Sequence, residues 1–189
     1  MRAYRRRNWL AVTIVSSALF VVGTKADFEI AQVSPRVTDR ALLLSGTLDL
    51  GLTAKVQEAL SKGIPIEITI GVKLYRRRPI LWDRRIQNWV LRRKISYHAL
   101  SRQYLVVGHG SDPDAIESFT SMQAALVDMG SLNELRLPLE SQLTGERAYY
   151  IRVRASLDIE SLPAPLRPVA YTSLAWQLSS GWTEWNVQP

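Results

Sequence analysis

The chain of 189 residues carries 24 basic and 17 acidic side chains, two histidines and no cysteine. This excludes disulfide staples, thiolate metal centres and a lipid anchor on cysteine, and any zinc site would have to draw on carboxylates. It leaves nucleic-acid binding open, because the formal net charge is +7.

In chain order, the first element is a targeting segment. MRAYRRRN carries Arg2, Arg5, Arg6 and Arg7 with no acid, an uncharged apolar run follows from Trp9 to Val22, and Thr24 and Ala26 supply small residues. That three-part pattern predicts a secretory signal peptide over residues 1–26, cleaved after Ala26. The run is shorter than the roughly 20 residues of a bilayer-spanning helix, so cleavage is preferred over an uncleaved anchor. The expectation is a periplasmic protein whose mature part, residues 27–189, is a single β-rich domain held together by packing alone.

Short strands are predicted at residues 28–34 and, from Leu42, Leu44, Leu48 and Leu50, at 42–50. Thr53 is placed to cap a helix with Leu52, Val56 and Leu60 on one side, stopped at Gly63. Ile64, Ile66, Ile68, Ile70, Val72 and Leu74 then alternate strictly with polar or small residues, which marks a strand with one buried face. Alternation continues over residues 83–98, where Trp89, Leu91, Ile95 and Tyr97 share one parity and Trp82, Ile86 and Val90 the other. The slip in phase predicts a bulge near Trp89. Further strands are expected at 102–108, 133–139, 147–159 and 175–187. A second amphipathic helix carries Met122, Ala125, Leu126 and Met129, whose methionines read as core filler. Residues 161–168, SLPAPLRP, are too rich in proline for a sheet interior and read as an extended or single-turn connector. The fold class is mainly β: an antiparallel β-sandwich, or a strongly curved sheet, with two short amphipathic helices.

Removing residues 1–26, which hold five basic and no acidic side chains, leaves 19 basic against 17 acidic. The remainder is polarised. Residues 73–102 contain ten basic side chains against Asp83 alone. Within YRRRPILWDRRIQNWVLRRK, residues 75–94, arginines alternate with aromatics as they do in grooves that bind single-stranded nucleic acid. Export puts most nucleic acid out of reach, and no nucleic-acid partner is expected. Two readings remain: arginines on wet strand faces that discourage edge pairing, or a basic face that docks on an anionic envelope protein or lipid surface. The candidate contact face is Arg76, Arg77, Arg78, Trp82, Arg84, Arg85, Arg92, Arg93 and Lys94.

Catalytic patterns are sparse. His98 sits in a predicted strand with no nucleophile or orienting group near it in sequence. His109 lies beside Asp112, Asp114 and Glu117, but the spacing is that of a polar turn rather than a calcium loop. No nucleophile elbow, phosphate loop or dinucleotide fingerprint occurs. Neither a metal nor a cofactor is expected. The alternative is an envelope hydrolase that brings His98 or His109 together with those acids. Trp176, Trp182 and Trp185 cluster near the C-terminus; two are expected in the core and one partly exposed.

Three spaced segments, ILWDRRI through NWVLRRKISYHALSRQYLV, DIESLPAPLRPVAY and WQLSSGWTEW, together resemble an exported proteobacterial family, the domain of unknown function DUF4390. The resemblance spans nearly all of the mature chain. It implies one domain behind a signal peptide in an envelope-signalling context, and it carries no catalytic residues. The expected function is therefore a non-enzymatic periplasmic binding or accessory module.

Overall fold

The computed structural model describes residues 27–38, 40–108, 112–143 and 148–187, so the predicted signal segment lies outside them. The strands are β1 (Phe28–Thr38), β2 (Ala41–Leu50), β3 (Ile66–Arg76), β4 (Arg84–His98), β5 (Gln103–Val107), β6 (Ile116–Phe119), β7 (Ser131–Pro138), β8 (Tyr149–Leu157) and β9 (Thr183–Asn186). The helices are α1 (Ala54–Ser61), α2 (Met122–Gly130) and α3 (Arg167–Thr172). They build one three-stranded sheet, in the order β1-β2-β7, and one six-stranded sheet, β6-β5-β4-β3-β8-β9. Every pairing is antiparallel. The inner faces of both sheets share one apolar core, the mainly β, sandwich-like arrangement that the alternating sequence predicts.

β3 is the centre of the larger sheet, between β4 and β8. Ile66, Ile68, Ile70, Val72 and Leu74 are all fully buried, and each contributes about 1.5–3 kcal/mol by leaving water. Polar caps start the helices where the sequence places them. The Thr53 hydroxyl accepts from the Val56 N–H at 3.3 Å and itself donates to the Ala175 carbonyl at 2.8 Å. Ser121 accepts from the Ala124 N–H at 3.1 Å, and Ala125, Leu126 and Met129 face the core.

The two sheets meet at a buried cation. Arg93 lies on the inward parity of β4, is only 2% exposed, and stands opposite Ile68 in register. Its Nη1 donates to the carbonyls of Met129 at 2.5 Å and Ser131 at 2.9 Å, the last turn of α2 and the start of β7. Carbonyls at a helix C-terminus lack intrahelical partners and carry the negative end of the dipole, so a guanidinium satisfies both needs. Burial lowers the Arg93 pKa, and the charge of Asp128 opposes that shift. The backbone at this junction is tight as well: a Cβ on Gly130 would stand 2.1 Å from the Leu48 carbonyl oxygen. Gln87 and Trp89, also inward on β4, donate to the Pro138 carbonyl at 3.0 and 3.1 Å and tie down the other end of β7.

Three details differ from expectation. The bulge in β4 falls at Ile86 rather than near Trp89: Leu74 pairs with Gln87 but Tyr75 with Arg85. Trp89 keeps its inward phase because Leu91, Arg93 and Ile95 extend it, and the irregularity moves to the strand end, where Ile86 is only partly buried against the core. The proline-rich connector holds short 3₁₀ turns at Ile159–Ser161 and Ala164–Leu166 and leads into a third helix, α3, with proline in its first turn, where its missing N–H costs nothing. The predicted strand at 175–187 shrinks to β9, because Trp176 turns inward from a 3₁₀ turn at Leu174–Trp176.

Two substitutions test this junction. Arg93→Ala strands two buried carbonyls and should destabilise the fold by about 3 kcal/mol, read as a lower urea midpoint at unchanged slope. Gly130→Ala overpacks against the β2 backbone and should cost about 1–3 kcal/mol in the same measurement.

Candidate functional site

The ten basic residues of the 73–102 segment do not share a face. From Arg85 back to Arg93 is roughly 25 Å along a strand. Arg93 is in the core and cannot meet a partner, which corrects its place in the predicted contact face. Arg92 is exposed on the outer face of the sheet but is committed to Glu67 at 2.9 Å and Asp158 at 3.0 Å. The bond from Glu67, followed by its charge, pushes the Arg92 pKa up. Lys94 is exposed and stands opposite Glu67 in register. The remaining predicted residues, Arg76, Arg77, Arg78, Trp82, Arg84 and Arg85, gather at the open end of the β3–β4 hairpin.

That end is built on a rigid base. Tyr75 and Tyr150 stand opposite each other on β3 and β8 and stack, ring centres 5.2 Å apart and 9° from parallel. Arg77 lies 4.6 Å from the centre of the Tyr150 ring, with Arg152 nearby at 5.7 Å. Glu184 on β9 accepts from both arginines, at 2.5 Å from Arg77 and 3.4 Å from Arg152. Beneath this cover Tyr150 is 2% exposed, and its hydroxyl donates to Asp83 Oδ2 at 2.8 Å. Asp83 Oδ1 accepts from the Arg78 N–H at 3.0 Å, which closes the loop across its neck. Burial, and then the bond to Asp83, push the Tyr150 pKa up to about 12.

Beyond the neck the loop presents only apolar side chains to solvent: Ile80 is 92% exposed, Leu81 66% and Trp82 94%. Below it the bulge at Ile86 sets the arginines around the ribbon. Arg76 and Arg84 are register partners, as are Tyr75 and Arg85, so cationic side chains occupy both faces. Like charges placed opposite each other oppose strand pairing. Arg84 and Arg85 are exposed, and neither forms an ion pair with a described residue. On the inner side Arg76 and Arg84 line a polar cleft of about 330 Å³ with Glu140, Ser141, Gln142 and Tyr149. Arg77 is not available to a partner in the same way, since Glu184 and the Tyr150 ring already hold it.

The groups considered for hydrolysis are differently employed. His98 closes the β4–β5 turn, with Nδ1 3.0 Å from the Ser101 hydroxyl and accepting from the Ser101 N–H at 3.4 Å. Asp112 accepts from the Asp114 N–H at 2.9 Å in a local turn, and Glu117 is on the edge strand β6. His109 lies outside the described residues. Among the described residues no three His, Asp or Glu groups are placed to hold a metal ion. Of the C-terminal tryptophans, Trp176 is buried and Trp185 packs against the core. Trp182 is 41% exposed and lies flat on the outer face, where a Cβ on Gly71 would stand 3.1 Å from its ring and Lys73 Nζ is 4.0 Å from its centre.

Sequence reading missed the clamp of Asp83, Tyr150 and Glu184, because those residues come from a loop and two strands far apart in the chain. It also passed over Ile80 and Leu81, although an apolar triplet between two arginine groups was visible in RRRPILWDRR.

The fold and this hairpin define a β-rich module with a basic, apolar-tipped projection on a braced neck. The family model described as Domain of unknown function (DUF4390) matches residues 25–186, and the chain belongs to that family. Comparison with curated proteins and with solved structures returns no match.

The clamp has a sign in pH. Bonds from Tyr150 and then from the Arg78 N–H hold the Asp83 carboxyl below its ordinary 3.8, so the clamp is intact above that value and is lost only as pH falls through the lowered pKa. Tyr150→Phe should return the Asp83 pKa toward its ordinary value in a carboxyl NMR titration and speed hydrogen exchange at the Arg78 amide.

Proposed function

We propose that this protein is an exported, non-enzymatic envelope module that docks on an anionic partner through the open end of its β3–β4 hairpin. The observation that carries the reading is the pair Arg84 and Arg85, exposed and without ion pairs among the described residues, on a hairpin where Arg77 and Arg92 are held by carboxylates. At this end two neighbouring cations stand without counter-charges among the described residues. Each basic residue near an anionic surface contributes about 1 kcal/mol. A neck fixed in the free protein avoids the cost of ordering the contact on binding. The N-terminal signal pattern supports placing the domain in the periplasm, where anionic headgroups and acidic protein faces are abundant.

The test is charge reversal at positions that do not hold the fold. Arg84→Glu combined with Arg85→Glu should leave the unfolding free energy from urea titration within about 0.5 kcal/mol of the parent. Association with the isolated envelope fraction should fall by at least about thirtyfold, the equivalent of about 2 kcal/mol, and in the parent protein should weaken steeply with salt. Association that is unchanged by the reversal would overturn the reading.

A further inference from the structure

Resting on the docking reading above, we propose that the anionic surface is a lipid bilayer, and that Ile80, Leu81 and Trp82 enter its headgroup–acyl boundary while the arginines beneath them stay at the level of the phosphates. The tip exposes three consecutive large apolar side chains, at 92%, 66% and 94%. Such a run is a fault in a soluble surface unless something covers it. The arrangement is graded along one axis: apolar tip first, cationic collar next, compensated sheet behind. A bilayer surface has the same order in reverse, hydrocarbon behind phosphate behind water.

The residue types fit their depths. Tryptophan favours the interface, where its ring is apolar and its N–H finds polar partners. Arginine can lay its apolar stem toward lipid while its guanidinium pairs with phosphate, often in bidentate fashion. The bulge at Ile86 contributes by putting Arg76 and Arg84 on one face of the ribbon and Arg85 on the other, so the collar surrounds the tip instead of flanking it. The Asp83–Tyr150 bond and the Arg77–Glu184 pair hold the neck, and the tip is presented already formed. A single-stranded nucleic acid fits less well. Besides Trp82 the aromatics of this end are Tyr149, half-buried in the inner cleft, and Tyr75 and Tyr150, which are stacked on each other, Tyr150 beneath Arg77; they offer no row of free faces for bases.

The experiment uses the purified chain with sedimented vesicles, mixed phosphatidylglycerol and phosphatidylethanolamine against pure phosphatidylcholine. Binding is expected to the anionic vesicles only, together with quenching of tryptophan emission by lipids brominated near the headgroup. Trp82→Phe should remove most of that quenching while binding falls only a few-fold. Leu81→Asp with Ile80→Asp should lower partitioning at least about tenfold, since charges at that depth resist burial. The three side chains are largely exposed, so circular dichroism should be unchanged by these substitutions. Anionic-vesicle binding without Trp82-dependent quenching, and indifferent to Ile80 and Leu81, would overturn insertion and leave anionic docking standing. No vesicle binding, with envelope association still sensitive to Arg84 and Arg85, would overturn the lipid assignment in favour of an acidic protein face. Loss of both would overturn the docking reading itself.

Discussion

A guanidinium in the middle of an apolar core organises this molecule. Arg93 reaches from the centre of the larger sheet to the two carbonyls where α2 gives way to β7, and so joins the sheets through a polar bond that has one geometry. Apolar contacts alone would let two sheets slide at little cost, since hydrophobic attraction is not directional. The cation cannot slide, because leaving its acceptors would strand a buried charge. The same junction holds Gly130, whose missing side chain lets the chain pass close over β2. Position and orientation of the smaller sheet therefore follow from one side chain and one absent side chain.

With β4 pinned at Arg93, its far end is free to serve another purpose. The strand keeps inward phase through Trp89 and Gln87, then takes up an extra residue at Ile86, its last side chain packed on the core. From there outward the side chains answer to a different constraint, which is support of the loop neck. Tyr75, Tyr150, Arg77, Arg152, Glu184 and Asp83 form a compact stack in which each charge has a counter-charge or a ring face. The stack draws on β3, β8, β9 and the loop, so the projection is as firmly fixed as the sheet below it.

Period-two segments with a pure apolar parity were legible in the sequence: β2, β3 and β8 emerge close to their predicted bounds, and the cap at Thr53 and the spacing of Met122, Ala125, Leu126 and Met129 locate the two amphipathic helices. What was not legible depended on partners distant in sequence. Arg93 shares the parity of Trp89, Leu91 and Ile95, so the pattern placed it inside, but residue type outweighed position and it was grouped with solvent-facing arginines. The bulge went to Ile86 because the core contacts of Trp89, invisible in the local pattern, protect its phase. α3 follows a proline that reads as a breaker although it sits where a helix tolerates it. Of the candidate site, the arginine cluster and Trp82 were legible; that Arg93 is internal, that Arg77 and Arg92 are paired, and that Arg84 and Arg85 form no ion pair with a described residue, required the register.

The place of β3 also sets the order in which the chain can be completed. One neighbour, β4, arrives through a short loop, but the other, β8, follows only after two further strands, a helix and β7, with Ile68 finding Leu157 across most of the domain. Until then the central strand has an open, strongly apolar edge. Such distant pairing is slow, and the unpaired edge is a template for a second copy of the chain. The topology thus makes the C-terminal third a folding gate: a chain that stops short of β8 keeps the β3–β4 hairpin but loses the strand that shields it, and is an aggregating species rather than a smaller domain.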